Sequence, residues 1–269
     1  MVRLQNAVPE QSPPHPANLE PGAAIRVQFL DNTIQVNDIT DPTTVDPDDT
    51  RPNFDDTFVM DWNGPARVFF EGNAVDMRGV EQAVAFSLTN ASNEDLTELA
   101  IQNNTILLNN LGTDPGAINI DLNSDYNIGS SDGTYGIARN TMRITGTTPT
   151  AIFMSLRPTN TPQIQSLNFT ANNIRLESDG GTGIEIRRSG NGAAVGFNRN
   201  RVEFRDLGAA DERGFIFTQV TGTVNLFGTL NTMAVISNGQ NGNNFIEVPF
   251  FIPANTSNGS VEINGVIFP

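Results

Sequence analysis

A four-position template recurs through this 269-residue chain and constrains its fold more than any other feature. With Asn200 as the marker, Phe197 stands three residues back, and Val202 and Phe204 stand two and four forward. Phe169, Asn172, Ile174 and Leu176 fit the same template. So do Ile137, Asn140, Met142 and Ile144, and Ile101, Asn104, Ile106 and Leu108. Phe70, Asn73, Val75 and Met77 fit, as do Phe29, Asn32, Ile34 and Val36. A looser copy places Asn231 before Met233 and Val235, with Phe227 one residue out of step. Subtracting residue numbers, the asparagines stand 41, 31, 36, 32, 28 and 31 residues apart. A unit of about thirty residues belongs to stacked repeat architectures, where each unit buries its apolar face against its neighbours.

Between the asparagines lies a second recurring feature, a small residue followed by an alternating apolar run. Gly183-Ile184-Glu185-Ile186, Gly116-Ala117-Ile118-Asn119-Ile120 and Ala151-Ile152-Phe153-Met154 are examples, with Gly214-Phe215-Ile216-Phe217 and Ala83-Val84-Ala85-Phe86. Alternation over so few residues is the pattern of a strand with one buried face. Each unit therefore holds three short strands. The fold class expected is all-β, a right-handed single-stranded parallel β-helix of about seven coils. At a strand spacing of about 4.8 Å, seven coils make a core roughly 30 to 35 Å long.

In such a coil the asparagines have two expected tasks. A tight turn needs a residue that tolerates the left-handed region, and Asn is the non-glycine residue best suited to it. Stacked in register, Asn32, Asn73, Asn104, Asn140, Asn172 and Asn200 also form a ladder that satisfies buried turn backbone.

Phe29-Leu30-Asp31-Asn32, Phe70-Glu71-Gly72-Asn73, Phe169-Thr170-Ala171-Asn172 and Phe197-Asn198-Arg199-Asn200 share a Phe-x-x-Asn form, and Gly180-Gly181-Thr182-Gly183-Ile184 accompanies them. This pattern resembles the repeats of bacterial autotransporter passengers, in particular the polymorphic outer-membrane proteins of chlamydiae. More broadly it is similar to the pectin-lyase-like β-helix. The resemblance spans roughly residues 23 to 250; two copies carry Ile in place of Phe, and one Gly-Gly is present. It implies an extracellular, bacterial outer-membrane-associated protein: an adhesin or structural stalk. Its partner would be a glycan or protein on a host or neighbouring cell. The broader fold also hosts polysaccharide lyases and glycoside hydrolases, phage tailspike enzymes among them, so a carbohydrate-active enzyme is the alternative.

The net charge of −15 argues against a nucleic-acid partner, because an acidic surface repels phosphates. All fifteen basic residues are Arg, so lysine chemistry is excluded. With no Cys there are no disulfides, thiol nucleophiles or thiolate metal sites. No apolar run is long enough to span a membrane, so attachment is expected only through parts outside this chain. No signal peptide is evident in the first residues, and export is likewise expected to rest on a segment beyond them.

Residues 1–22 carry five prolines and read as an extended arm or linker, 23–252 as the β-helix, and 253–269 as a cap or the start of further coils. His15, the single His, falls in the arm. The acidic stretch 38–56 explains the 41-residue spacing, and Asp46, Asp48 and Asp49 within it are candidates for Ca²⁺; no other cofactor is expected. This stretch and the polar turn 124–134 are the expected recognition loops.

Three groups of side chains are candidate sites. Trp62, the single Trp, is expected in the core with Met60, or as a sugar-stacking platform if it lies at a strand end. Arg187, Arg199 and Arg201 belong to an arginine-rich part of the rod and are candidates for an acidic glycan; the plainer reading is a row of exposed ion pairs. On the third strand the outward order is Gln35, Asp76, Leu107, Arg143, Arg175, Glu203, so Arg175 and Glu203 are expected to pair. For catalysis, a glycosidase needs two carboxylates on neighbouring coils, and Asp121 and Glu185 are the outward candidates on the first strand. The Gly-His-Gly and Arg-Ile-Lys motifs of polygalacturonase-like enzymes are missing. A non-enzymatic surface module is the leading expectation.

Overall fold

A computed structural model describes residues 2–5, 25–37, 56–64, 66–78, 82–89, 97–113, 116–123, 126–129, 134–156, 165–178, 181–187, 194–205, 212–218, 223–227, 231–235, 244–247, 260–263 and 266–268. These residues form three long sheets and nothing helical. Coil one is β1 (Val2–Gln5), β2 (Ile25–Leu30) and β3 (Thr33–Asn37). Coil two is β4 (Asp56–Asn63), β5 (Ala66–Glu71) and β6 (Ala74–Arg78). Coil three is β7 (Gln82–Thr89), β8 (Thr97–Gln102) and β9 (Thr105–Thr113). Coil four is β10 (Gly116–Asn123), the split strand β11 (Tyr126–Ile128) and β12 (Gly136–Ala138), and β13 (Thr141–Thr147). Coil five is β14 (Thr150–Leu156), β15 (Gln165–Thr170) and β16 (Asn173–Glu177). Coil six is β17 (Gly181–Arg187), β18 (Ala194–Asn198) and β19 (Arg201–Phe204). Coil seven is β20 (Glu212–Thr218), β21 (Thr223–Phe227) and β22 (Thr232–Val235).

Like strands stack in parallel, giving a right-handed parallel β-helix with a first, a second and a third sheet. Val2–Gln5, inside the segment read as an arm, pairs with β4 and begins the first sheet. At the other end the pairing changes. β23 (Asn244–Glu247) lies antiparallel on β22. β24 (Ser260–Ile263) continues the second sheet in parallel and β25 (Val266–Phe268) turns back on it.

The template residues pack as the alternation dictates. Phe29, Phe70, Ile101, Ile137, Phe169 and Phe197 stand directly above one another in the second sheet. From Phe70 onward all are fully buried. Phe169 and Phe197 stack face to face, 4.9 Å apart and 5° from parallel. Each such burial stabilises by about 1.5–3 kcal/mol. Leu107 points outward and is exposed.

The asparagine ladder is continuous. The Oδ1 of each asparagine accepts both the backbone N–H and the Nδ2 of the asparagine one coil earlier. The pairs run from Asn32 to Asn73, Asn104, Asn140, Asn172, Asn200 and Asn231 at 2.9–3.1 Å. From Asn73 onward each Nδ2 also donates to the carbonyl of the template aromatic or aliphatic residue one coil back, as Asn200 does to Phe169. Both lone pairs and both amide hydrogens are thus used. Asp has no such donor, and an apolar residue has neither donor nor acceptor.

One expectation needs correcting. The left-handed residue of the turn is the one before the asparagine, not the asparagine itself. Asp31, Asn103, Arg139, Ala171 and Arg199 have φ of 54–57°, and Gly72 has 69°. The backbone N–H groups of Asp31, Gly72, Asn103, Arg139 and Ala171 donate to the next coil, for example Arg139 to Thr170 O at 2.8 Å. The asparagine must stay where its amide points inward, so its exposed neighbour takes the strained conformation. The glycine pair before Ile184 has a different reason. A Cβ on Gly181, whose φ is 131°, would sit 2.6 Å from the carbonyl oxygen of Pro149.

Candidate binding faces

The first sheet carries the two carboxylates proposed for catalysis, and it holds them apart. Asp121 pairs in register with Ser155, and Ser155 with Arg187. Glu185 pairs with Phe153, two residues along and two coils away from Asp121. That offset is about 12 Å between Cα atoms from the strand spacing and rise. Glu185 instead accepts from Arg187 on its own strand, at 2.8 Å from Nη2. The Arg187 guanidinium lies 4.9 Å over the Phe153 ring. Trp62 faces the core and is only 6% exposed, so the ring face has no room for a stacked sugar. Asp46, Asp48 and Asp49 lie outside the described residues. Among the described residues no three acidic or His side chains converge as metal ligands.

Arg199 and Arg201 are close to each other but not to Arg187. Arg199 occupies the turn between the second and third sheets, and Arg201 begins β19 of the third. The third sheet and that turn carry a cluster of charge on coils four to six. Arg139 sits at the turn of coil four and Arg143 on β13; Arg175 and Glu177 lie on β16; Arg201 and Glu203 lie on β19, with Arg205 after it.

The pairing on this face differs from the one expected. Arg175 binds Glu177 on its own strand, not Glu203. Arg143 reaches the same Glu177 from the coil before, with Nε at 3.0 Å and Nη2 at 2.7 Å from Oε2. Glu203 is held between Arg201 and Arg205, at 2.9 Å each. Side chains two residues apart on one strand share a face, and a long arginine closes on its strand neighbour as readily as across coils. Partial burial raises the Glu177 carboxyl, but the Arg143 hydrogen bond and the Arg175 and Arg143 charges together outweigh it and hold the group below the ordinary carboxylate range. Six arginines against two glutamates leave this strip positive on a chain that is acidic overall.

A second cluster escaped the sequence reading. The second-sheet strand of coil four is split by an insertion between β11, which ends at Ile128, and β12, which begins at Gly136, both halves pairing with β8 and β15. Gly136 closes the insertion with φ of 140°, where a Cβ would lie 3.1 Å from Asn168 O. Ser166 donates to Gly129 O at 2.9 Å and Gln102 to Thr134 O at 3.1 Å, fixing both ends of the insertion. The Tyr135 ring thereby lands 5.8 Å from Phe69, and Arg26 covers Phe69 at 4.8 Å. Tyr135 also bonds to Glu98, which is ion-paired with Arg67. Burial pushes the Tyr135 hydroxyl up, and the Glu98 charge and hydrogen bond add to that. The signal available in sequence was the doublet Phe69-Phe70, since adjacent strand residues face opposite ways and one ring had to point out. No family model, curated protein or solved structure matches this chain.

Proposed function

We propose that this chain is a rigid, non-enzymatic β-helical module of a bacterial cell surface, an adhesin or stalk that holds binding faces away from the membrane. The observation that carries this reading is the unbroken asparagine ladder, which ties seven coils into one rod. Such a rod gives reach and stiffness, because every coil is fixed to both neighbours by sheet, ladder and core. The repeat resemblance to autotransporter passengers supports the surface placement. The irregular elements sit outside the ladder, on the sheet faces and at the other turns, where a partner glycan or protein has access.

The test is a binding and turnover panel. The purified chain is offered neutral and acidic polysaccharides and extracellular proteins, with saturable binding and glycan chain length followed together. Saturable binding with the glycan recovered unshortened is expected. Release of reducing ends or of unsaturated sugars would overturn the reading in favour of an enzyme.

A further inference from the structure

We propose that the arginine strip of the third sheet, formed by Arg139, Arg143, Arg175, Arg199, Arg201 and Arg205, is a docking face for a linear acidic polysaccharide. The inference rests on the surface-module reading and names the chemistry of its partner. Three observations converge. The described residues of the strip are positive on a chain of net charge −15, so an anion is directed to this face and repelled elsewhere. All its cations are arginines, whose planar fork matches carboxylate and sulfate groups in two-bond geometry. And they are held in place beforehand. Glu177 orients Arg143 and Arg175, while Glu203 orients Arg201 and Arg205, each guanidinium using only part of its five donors.

The spacing suits a polymer. Arg143 and Arg175 are register partners on adjacent coils, about 4.8 Å apart along the rod. Arg139 and Arg199 flank them at the turn, two coils apart with Ala171 between. A chain with an anionic group on successive sugars meets this row repeatedly as it runs along the axis. The described strip carries no aromatic ring on which a nucleic-acid base would stack.

The experiment uses the whole chain and four probes: polygalacturonate for carboxylate, heparin fragments for sulfate, neutral dextran, and a single-stranded DNA oligonucleotide. Binding is measured by titration calorimetry at two salt concentrations. One variant carries Arg143→Gln, Arg175→Gln, Arg201→Gln and Arg205→Gln. A control of equal charge change carries Arg3→Gln, Arg26→Gln, Arg67→Gln and Arg187→Gln, all on the first and second sheets, and circular dichroism checks that both fold. Binding of at least one acidic glycan, weakened about tenfold or more in the strip variant and about twofold or less in the control, is expected. Whichever acidic probe binds tells carboxylate from sulfate. Equal loss in both variants, or oligonucleotide binding as tight as the glycan, would overturn the proposal. Absence of acidic-glycan binding would overturn it as well. In that last case, retained saturable binding of dextran or a protein would leave the surface-module reading intact.

Discussion

The turn between the second and third sheets and the turns at the other two corners of the coil follow opposite rules. At the first, two residues link the strands in each of coils one to six, a left-handed residue and then the asparagine. Between the first and second sheets the link ranges from two residues, as at Asn63 to Ala66, to nineteen, between Gln5 and Ile25. Between the third and first sheets it ranges from two residues after Thr113 to eighteen after Asn37. The difference is one of hydrogen bonding. Where side-chain amides lie inside, every coil must meet the same partners and neither insertion nor exchange is tolerated. Where the backbone reaches water, length is free. Structural constraint thus collects on one corner and leaves the other two, and the outer faces, open to variation.

The comparison breaks most sharply in the middle of the ladder. Asn140→Leu removes the acceptor of Asn104 N and Nδ2 and the donor to Ile101 O, all buried. A loss of about 3–6 kcal/mol is expected in urea unfolding. Asn32→Ala, at the exposed first rung, is expected to cost under about 1 kcal/mol, because Asn73 Oδ1 keeps the backbone N–H of residue 32. Equal costs at the two rungs would show that the ladder is not what distinguishes this corner.

Next comes the residue beside the rung. Ala171 has φ of 55°, a conformation that costs an L-residue about 1–2 kcal/mol and costs glycine nothing, against a glycine entropy penalty of about 0.5–1 kcal/mol. Ala171→Gly is therefore expected to stabilise by about 0.5 kcal/mol, read as a raised unfolding midpoint. A lowered midpoint would mean that the strain lies elsewhere in the turn.

On the third-sheet face, Glu177 has a folded pKa below its unfolded value. Its contribution to stability is complete above the ordinary carboxylate value and is lost as pH falls through the depressed folded one. Midpoints of the native chain and Glu177→Gln are expected to converge as the solution is acidified below that range. A gap that stays constant with pH would assign the effect to packing. The smallest change expected is Glu185→Ala, within about 0.5 kcal/mol, since its partner Arg187 is 40% exposed and is solvated once the carboxylate is gone.

Much of the rod was legible in the sequence because its core obeys a strict two-residue alternation. Phe197, Asn200, Val202 and Phe204 sit at fixed offsets since a shift by one would turn each side chain to the other face. The left-handed position was not legible. Asp31, Gly72, Asn103, Arg139, Ala171 and Arg199 share no chemistry, because the conformation is imposed by the inward asparagine and not chosen by its neighbour. Alternation gave the outward columns correctly but not the partner each arginine selects, as Arg175 and Glu177 demonstrate. The Tyr135–Phe69 contact was hidden for another reason, since it depends on where an insertion returns to the sheet.

The parallel stacking of the coils has a mechanical consequence. In a parallel β-helix the bonds between coils lie along the axis, so a pull on the two ends loads the coil junctions in series. The weakest junction sets the breaking force for the whole. Between coils six and seven the second sheet contributes three register pairs among the described residues, Ala194 with Asn225, Val195 with Leu226 and Gly196 with Phe227. The two bonds from Asn200 to Asn231, and the one from Asn231 Nδ2 to Phe197 O, cross that same seam. The first and third sheets add six and four register pairs there, so a pull along the axis is shared by all three sheets and by the same amide bonds that cross every seam from coil one to coil seven.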